Sequence, residues 1–497
     1  MSKRSIVKDL GVLVLMLVAS LACFWDVLWL NFFSDDYHVL YRLTIDKIFW
    51  APGFFRPLSD LTLLFSYYTS GYDAFGFRLF NVLLHGINAF LLYKTLQHLL
   101  ELKQPQKQAA AFIGAMLFVT YPFHTESITW IVGRASMVAN FFGILSLYFF
   151  FSNLSYKAKI AASCACYFIG LASYESIIVI PGIIFFAAWY YTTWKKAFIA
   201  VLPYAVTLAL HMVVRLTVAG VFAGNYGKDM FGENQTNYAA KFIKSFGRLF
   251  VPPLHNNLLL VVLFCLVFTV IIVSFVLVFR YRRRHLQFYI LLWLFLLVAH
   301  ILPTAFGIDT HTSDGDRLLY FPSYFLCAIV AFLLCITTSS KKIVVATSSL
   351  LVLANFYFLK RTNKNWVKAD TAMTEVFNSI RQNASRPIYF INMPDAIEGS
   401  FVFRNGLYEA LQIHNIPGDV RVINYLLYKD AMEHPQGILP VLQGDEGLRL
   451  PPAVTITLTA FKVDSLANGV PVTKQVKRDP AAAILYWNRN KVVSLLP

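Results

Sequence analysis

The feature that most constrains this chain is a recurrence, from Leu10 to Leu359, of apolar runs each about as long as a membrane is thick. A helix needs about 20 such residues to cross a hydrocarbon core of about 30 Å. Inside that core every backbone N–H and C=O must be paired within the segment, so runs of this kind are read as helices. We count eleven, separated by short polar interruptions. Composition agrees, with 57% hydrophobic and 14% charged residues and a mean hydropathy of +0.57, outside the range of water-soluble globular chains. The expected fold class is a polytopic α-helical membrane protein.

A formal charge of +16 would fit a nucleic-acid partner if the basic residues formed one patch. They sit between spans instead. Lys3, Arg4 and Lys8 open the chain, followed by Lys103 and Lys107, Lys157 and Lys159, Lys195 and Lys196, the arginines from Arg280 to Arg284, and Lys341 and Lys342. These clusters mark alternate connections, the pattern of cytoplasmic loops. The connections near 31–77, 124–134, 174–175, 219–255 and 304–317 must then face outwards, and an odd number of crossings places the segment after Lys360 outside as well. All six cysteines lie in apolar runs, so no disulfide framework supports that segment. The first run, basic at its start and without a clear cleavage site, reads as a retained span rather than a removed signal peptide.

The outward connections carry the candidate chemistry. Directly after the first span, Phe33-Ser34-Asp35-Asp36-Tyr37-His38 sets two carboxylates side by side. Acids at the mouth of a membrane helix must be hydrated, paired or used, and the bland alternative is a polar loop that ends a helix. Ile45 to Phe55 mixes aromatic residues with single charges and is expected to form a helix along the membrane surface. Arg56, before the helix-starting Pro57, reads either as an interface anchor or as a phosphate ligand. In the second span, Phe77 to Leu100, Asn81, His85 and Asn88 recur at offsets of four and three on one face, as a stripe that bonds to a neighbouring span would.

The third span delivers His124, Glu126 and Arg134 to the outer side together. Glu175 at the next outer turn is either a site member or a charge favoured by a helix N-terminus. The polar run Gly224 to Lys244 reads as a solvated connection or as a loop over a cavity. Asp309, His311, Asp314 and Asp316 have a metal-like composition, but their spacing fits no firm ligand motif.

Four blocks in order carry a resemblance: Asp35-Asp36-Tyr37; Phe55-Arg56-Pro57-Leu58 with Phe77 to His85; Tyr121 to Arg134; and Asp316-Arg317-Leu318-Leu319-Tyr320-Phe321-Pro322-Ser323, with Asn365-Trp366 as a weaker fifth. Over about Leu10 to Phe377 the chain resembles the membrane part of the transmembrane-and-tetratricopeptide protein O-mannosyltransferases, in the GT-C superfamily of polyprenyl-phosphate-sugar-dependent glycosyltransferases. The resemblance implies a GT-C-like membrane domain, with Asp35 or Asp36 in a catalytic cavity at the outer face. Two departures stand out. Leu-Leu-Tyr-Phe-Pro-Ser replaces the family's Tyr-Leu-Tyr-Leu-Pro-Ser, and the tail holds no tetratricopeptide repeat, so the acceptor does not carry over.

The chemistry follows from the residue types. An acceptor hydroxyl attacking the anomeric carbon must lose a proton to a base, here Asp35 or Asp36 with Glu126 as substitute. Charge growing on the leaving phosphate calls for cations, and Arg56, Arg134 and Arg317 stand at outer junctions. His38, His124, Glu175, Asp316 and Tyr320 are expected around the same cavity. No metal is obligatory, although a divalent ion is left open. The expected partners are a polyprenyl-phosphate-linked sugar, a hydroxyl acceptor on protein, glycan or lipid, and membrane lipid. A transporter, or a flippase or polymerase of lipid-linked glycans, is the alternative, but no inverted repeat is visible.

After Lys360 the composition becomes that of a water-soluble α/β domain, with strands at Arg386 to Asn392, Val420 to Tyr428, Ala453 to Val463 and Ala483 to Trp487, and a helix at Phe401 to Ile413. The expected division is a transmembrane catalytic domain over 1–361, its first outer loop at 31–77, and an extracytoplasmic domain over 362–497 that gives structural support or recognises the acceptor. With no repeats and no organelle signal, a bacterial inner membrane is the expected location, the N-terminus cytoplasmic and the tail periplasmic.

Overall fold

The computed structural model describes residues 3–49, 54–220, 238–338, 340–426, 441–442, 447–450, 454–457, 460–467, 470–488 and 491–495. Most of the polar run Gly224 to Lys244 lies outside the described residues. Seven described helices are long and apolar enough to cross a membrane. Four shorter apolar helices, Gln106–Val119, Tyr156–Leu171, Ile180–Tyr191 and Leu286–Ala299, fall at other apolar runs. The chain divides into two compact units, one of residues 1–29 with 46–363 and the other of residues 30–45 with 364–497.

In the first unit, α1 (Lys3–Phe24), α3 (Pro57–Ser70), α4 (Ala74–Leu99), α5 (Gln106–Val119) and α7 (Arg134–Phe151) surround a common interior, with α4 touching each of the others. The helix Tyr320–Thr337 packs against α5 and is apolar on nearly all sides, so most of it is buried. The helices Trp194–Ala219 and Asn257–Tyr281 expose Leu202, Val206 and Val213, and Val261, Leu266 and Val270, the kind of surface that lipid covers.

The α4 stripe faces protein, and its reach begins one turn before Asn81. Arg78 donates from Nε to the Thr129 carbonyl (3.0 Å), and Asn81 donates to the Ile128 carbonyl (3.0 Å). His85 Nδ1 meets the Tyr320 hydroxyl at 2.8 Å, and Asn88 donates to that same hydroxyl at 3.0 Å. Offsets of three and four keep these side chains on one face, and burial requires each to find a partner.

The first outer connection departs from expectation. Residues 45–49 are not helical, and helix forms instead over α2 (Asp35–Thr44), so the acids occupy a first helical turn rather than an extended loop. Negative charge in a first turn and Arg42 in the last favour the macrodipole. Pro57 then starts α3 at its first position, where a missing N–H costs nothing.

Residues 30–45 belong to the second unit. Phe33 lies edge-on to Trp366 at 5.1 Å and Tyr37 edge-on to Phe377 at 6.3 Å. The helix Lys341–Gln382 contains the division, and beyond Lys364 it buries Trp366, Ala369, Met373, Val376, Phe377 and Ile380 at helical spacing. Beside it stands a four-stranded sheet in the order Lys491–Ser494, Ala483–Asn488, Ile388–Ile391 and Val420–Val422. Lys491–Ser494 pairs antiparallel with Ala483–Asn488, and the other two pairings are parallel. The two central strands are continuous apolar runs, as strands covered on both faces are. A five-stranded antiparallel sheet spans the described strands from Val441 to Lys477. The helix expected over Phe401 to Ile413 is shorter, Leu407–Ile413, because Ser400–Phe401 pairs as a strand and Gly406 turns the chain at φ 82°.

Candidate active site

In the first unit the chain after α5 makes a tight excursion through His124, Glu126 and Trp130 before α7 begins at Arg134. Gly133 permits it, since a Cβ there would lie 2.6 Å from the Glu126 carbonyl. Glu126 is fully buried and pairs with the Arg317 guanidinium, while its Oε2 accepts the Arg317 backbone N–H at 2.8 Å. Trp130 lies against the same guanidinium at 5.4 Å. Burial pushes the Glu126 carboxyl above its ordinary range, and Arg317 pulls it part of the way back. The neighbouring Asp316 pairs with Arg248, both fully buried, and Arg248 rests on the Phe123 ring at 4.7 Å. Adjacent residues of opposite charge are thus each tied to a different partner.

Arg317 and Glu175 both line a cavity of about 420 Å³, together with Tyr174, Asp309 and Asp314. Glu175 joins two arginines, accepting from Arg56 Nη2 at 3.1 Å and from Arg215 Nη1 at 2.9 Å. Arg56 also lies over the Tyr174 ring at 4.5 Å, which holds it at the rim of this group. Two guanidinium groups on one carboxylate leave one positive charge in that trio, set against the Asp309 and Asp314 carboxylates on the cavity wall.

Other expected site residues are placed differently. Arg134 is fully buried and donates to the Asn81 side chain (2.6 Å), the Thr62 carbonyl (2.7 Å), the Ser66 hydroxyl (2.9 Å) and the Phe77 carbonyl (2.8 Å). It clamps α3 and α4 to the start of α7 and does not line the cavity. His124, Asp316 and Tyr320 are also at 0% exposure, inside the protein rather than on the cavity wall. His124 Nε2 meets the Ser323 hydroxyl at 2.8 Å, and burial holds its imidazole well below the ordinary range, with His85 adding to the effect.

The acid pair and His38 lie in the second unit. Asp36 is fully buried, and its Oδ2 accepts the Phe33 backbone N–H at 3.0 Å, tying the first turn of α2 to the chain that enters it. Asp35 is half-buried and accepts from Asn405 Nδ2 at 2.7 Å. His38 Nδ1 meets Glu409 Oε1 at 2.8 Å. The two acids therefore differ: one is consumed by the fold, and the other faces a side-chain amide.

Reading the sequence alone passes over Arg215 and Arg248. Arg215 carried a signal, since an ionisable residue inside an apolar run of helix length must face protein and a partner. Arg248 gave none, because it ends a short amphipathic helix, Tyr238–Arg248, where a basic residue is ordinary.

No family model matches the chain. Stretches of it are similar to Protein O-mannosyl-transferase TMTC3 of Mus musculus, 26% identical over 158 residues, or 28% of this chain and 16% of the relative. Tmtc3 of Drosophila melanogaster is 32% identical over 126 residues (22% and 13%), and TMTC4 of Homo sapiens is 35% identical over 101 residues (18% and 14%). The matched stretches thus span about a sixth or less of each relative's length. Among solved structures, the archaeal oligosaccharyltransferase AglB of Archaeoglobus fulgidus, in complex with an inhibitory peptide and a dolichol-phosphate, aligns with a TM-score of 0.48. Identity is 13%, and the alignment covers 84% of this chain and 67% of that one.

Proposed function

We propose that this chain is a membrane glycosyltransferase that moves a sugar, mannose or another hexose, from a polyprenyl-phosphate carrier to a hydroxyl acceptor at the outer membrane face. The observation that carries the reading is Arg317, aimed at a cavity and held there by a fully buried carboxylate at both its guanidinium and its backbone N–H. A cation fixed in this way before substrate arrives can oppose charge as it develops, with no reorganisation at the moment of reaction. The similarity to protein O-mannosyltransferases supports the same reading.

In the proposed step an acceptor oxygen attacks the anomeric carbon, forming the new glycosidic bond as the bond from that carbon to the phosphate oxygen breaks. The electron pair leaves with polyprenyl phosphate. The acceptor proton passes to a base, the role that the resemblance implies for Asp35. Arg317 meets the charge on the departing phosphate, and Arg56 and Arg215 add positive potential through Glu175. A divalent ion has no part in the step as written. Basic clusters on the alternate connections support an outer-face placement with the N-terminus cytoplasmic, and a bacterial inner membrane is the proposed location.

The test uses the full chain in lipid nanodiscs with undecaprenyl-phosphate mannose and undecaprenyl-phosphate glucose as probes, following release of undecaprenyl phosphate. Release from either, abolished by Asp35→Asn and weakened at limiting donor by Arg317→Lys, is expected. Release that ignores both substitutions, or none from either donor across hydroxyl acceptors, overturns the proposal.

A further inference from the structure

We infer that the Asn405-Gly406 turn of the C-terminal unit is the positioning element of the Asp35 carboxylate, which makes this unit part of the catalytic apparatus rather than a passive support. The inference rests on the reading of Asp35 as the base.

Four contacts converge on the start of α2. Asn405 donates from its side chain to Asp35 Oδ1 at 2.7 Å and from its backbone N–H to the Ser34 hydroxyl at 3.1 Å. The Ser34 N–H donates to the Val402 carbonyl at 3.0 Å. Gly406, at φ 82°, is pressed so closely onto this point that a Cβ would lie 2.4 Å from the Ser34 carbonyl oxygen and 3.2 Å from Tyr37 Cβ. A residue with a side chain at 406 would push the turn away from the acid.

Ser34 itself has φ 46° and ψ −116°, a conformation rarely adopted by a residue with a side chain. Such strain persists only where the surroundings fix it, and here segment 402–405 holds the residue from both sides. The strained residue stands immediately before Asp35 and sets the direction in which helix and carboxylate start. One turn along, His38 meets Glu409, so residues 35 and 38 of one helix are matched by 405 and 409 of the other segment.

Docking alone does not require the amide. Phe33 against Trp366 and Tyr37 against Phe377 and His414 already supply an apolar seam. The Asn405 amide adds a neutral donor to one oxygen of a half-buried acid, and no partner is recorded for Asp35 Oδ2 among the described residues. One oxygen is thereby anchored while the other is left to take a proton.

The test compares the native chain in nanodiscs with Asn405→Ala, Asn405→Gln and Asp35→Asn. The carboxylate stretch absent from Asp35→Asn identifies the Asp35 band in the infrared spectrum. That band is expected to shift in Asn405→Ala and to return in Asn405→Gln, which still carries a donor. With undecaprenyl-phosphate mannose as probe, kcat in Asn405→Ala is expected to fall roughly 10- to 100-fold at unchanged donor KM, the scale for a misplaced catalytic group. Should the alanine variant not fold, Asn405→Asp, nearly isosteric but unable to donate when ionised, takes its place. An unmoved band and unmoved kcat, with Asp35→Asn inactive, overturn the inference and leave the base assignment standing. Full turnover in Asp35→Asn overturns the base assignment, and the role of Asn405 with it.

Discussion

Glu126 holds Arg317 at two points, its Oε1 on the guanidinium and its Oε2 on the backbone N–H at 2.8 Å. The carboxylate is fully buried and the arginine side chain 21% exposed, so the pair reaches from the interior to the cavity wall. Fixing main chain and side chain together leaves the guanidinium little freedom to follow a leaving group. Its value lies in being already in place.

Glu126→Gln removes the charge and keeps the shape. Breaking a buried ion pair costs roughly 3–5 kcal/mol, and the partial exposure of Arg317 brings the expected loss below that range. A lower melting temperature and a kcat lowered about 10-fold at saturating donor are expected, with donor KM within a few-fold of the native value. Thermal unfolding and steady-state kinetics on the same preparation check this. A donor KM raised at unchanged kcat would mean instead that Arg317 binds the donor's ground state and does not meet the departing phosphate.

The two acids of the first outer connection are expected to separate cleanly. Asp36 accepts the buried Phe33 N–H just ahead of α2, so Asp36→Ala, which removes this acceptor, should cost about 1–3 kcal/mol of stability. Asp35→Asn should leave the melting temperature unchanged and lower turnover by ~10²–10⁴, the usual contribution of a general base. Reversal of the two outcomes would transfer the proton acceptor to Asp36.

Arg134 is expected to behave as a structural clamp. Arg134→Ala removes four hydrogen bonds to α3 and α4, and the buried Asn81 Oδ1, which loses this donor, alone costs about 1–3 kcal/mol. Poor recovery and a markedly lowered melting temperature should result, while correctly folded protein keeps its donor KM. A stable variant with a raised donor KM would restore the phosphate-binding role that the sequence pattern gives this arginine.

These contrasts show what was legible in the sequence. Apolar runs and the α4 stripe at Asn81, His85 and Asn88 were readable because their spacing is a property of one helix, independent of its neighbours. The block around Asp316 and Arg317 was readable as a place but not as an arrangement. Nothing in adjacent letters says that the aspartate turns inward to Arg248 while the arginine turns to Glu126 and the cavity. Arg134 shows the same limit, since an arginine at an outer junction looks alike whether it faces an anion or the carbonyls that end neighbouring turns. The attachment of residues 30–45 to the C-terminal unit was hidden by sequence distance, for Phe33 and Trp366 lie more than three hundred residues apart.

The final prediction concerns pH and the seam that holds α2. Tyr37 Oη meets His414 Nε2 at 2.9 Å, and the ring also lies against Phe377 at 5.2 Å. Burial lowers the affinity of His414 for a proton, and the positive charge of Arg381 lowers it further. In the unfolded chain the imidazole binds its proton near the ordinary value of about 6.5. Between that value and the lower folded one, the unfolded state therefore holds more protons than the native state, and stability rises with pH across the window. Read towards acid, the contribution is whole above about pH 6.5 and is lost as pH falls through the folded value. Melting temperatures of the full chain measured from about pH 7.5 to about pH 5 should fall on the acid side. His414→Gln, which can still bond to Tyr37 but does not titrate, should show a smaller fall over the same range. Equal slopes in the two proteins would mean that the acid sensitivity of this unit lies elsewhere than at the Tyr37–His414 contact.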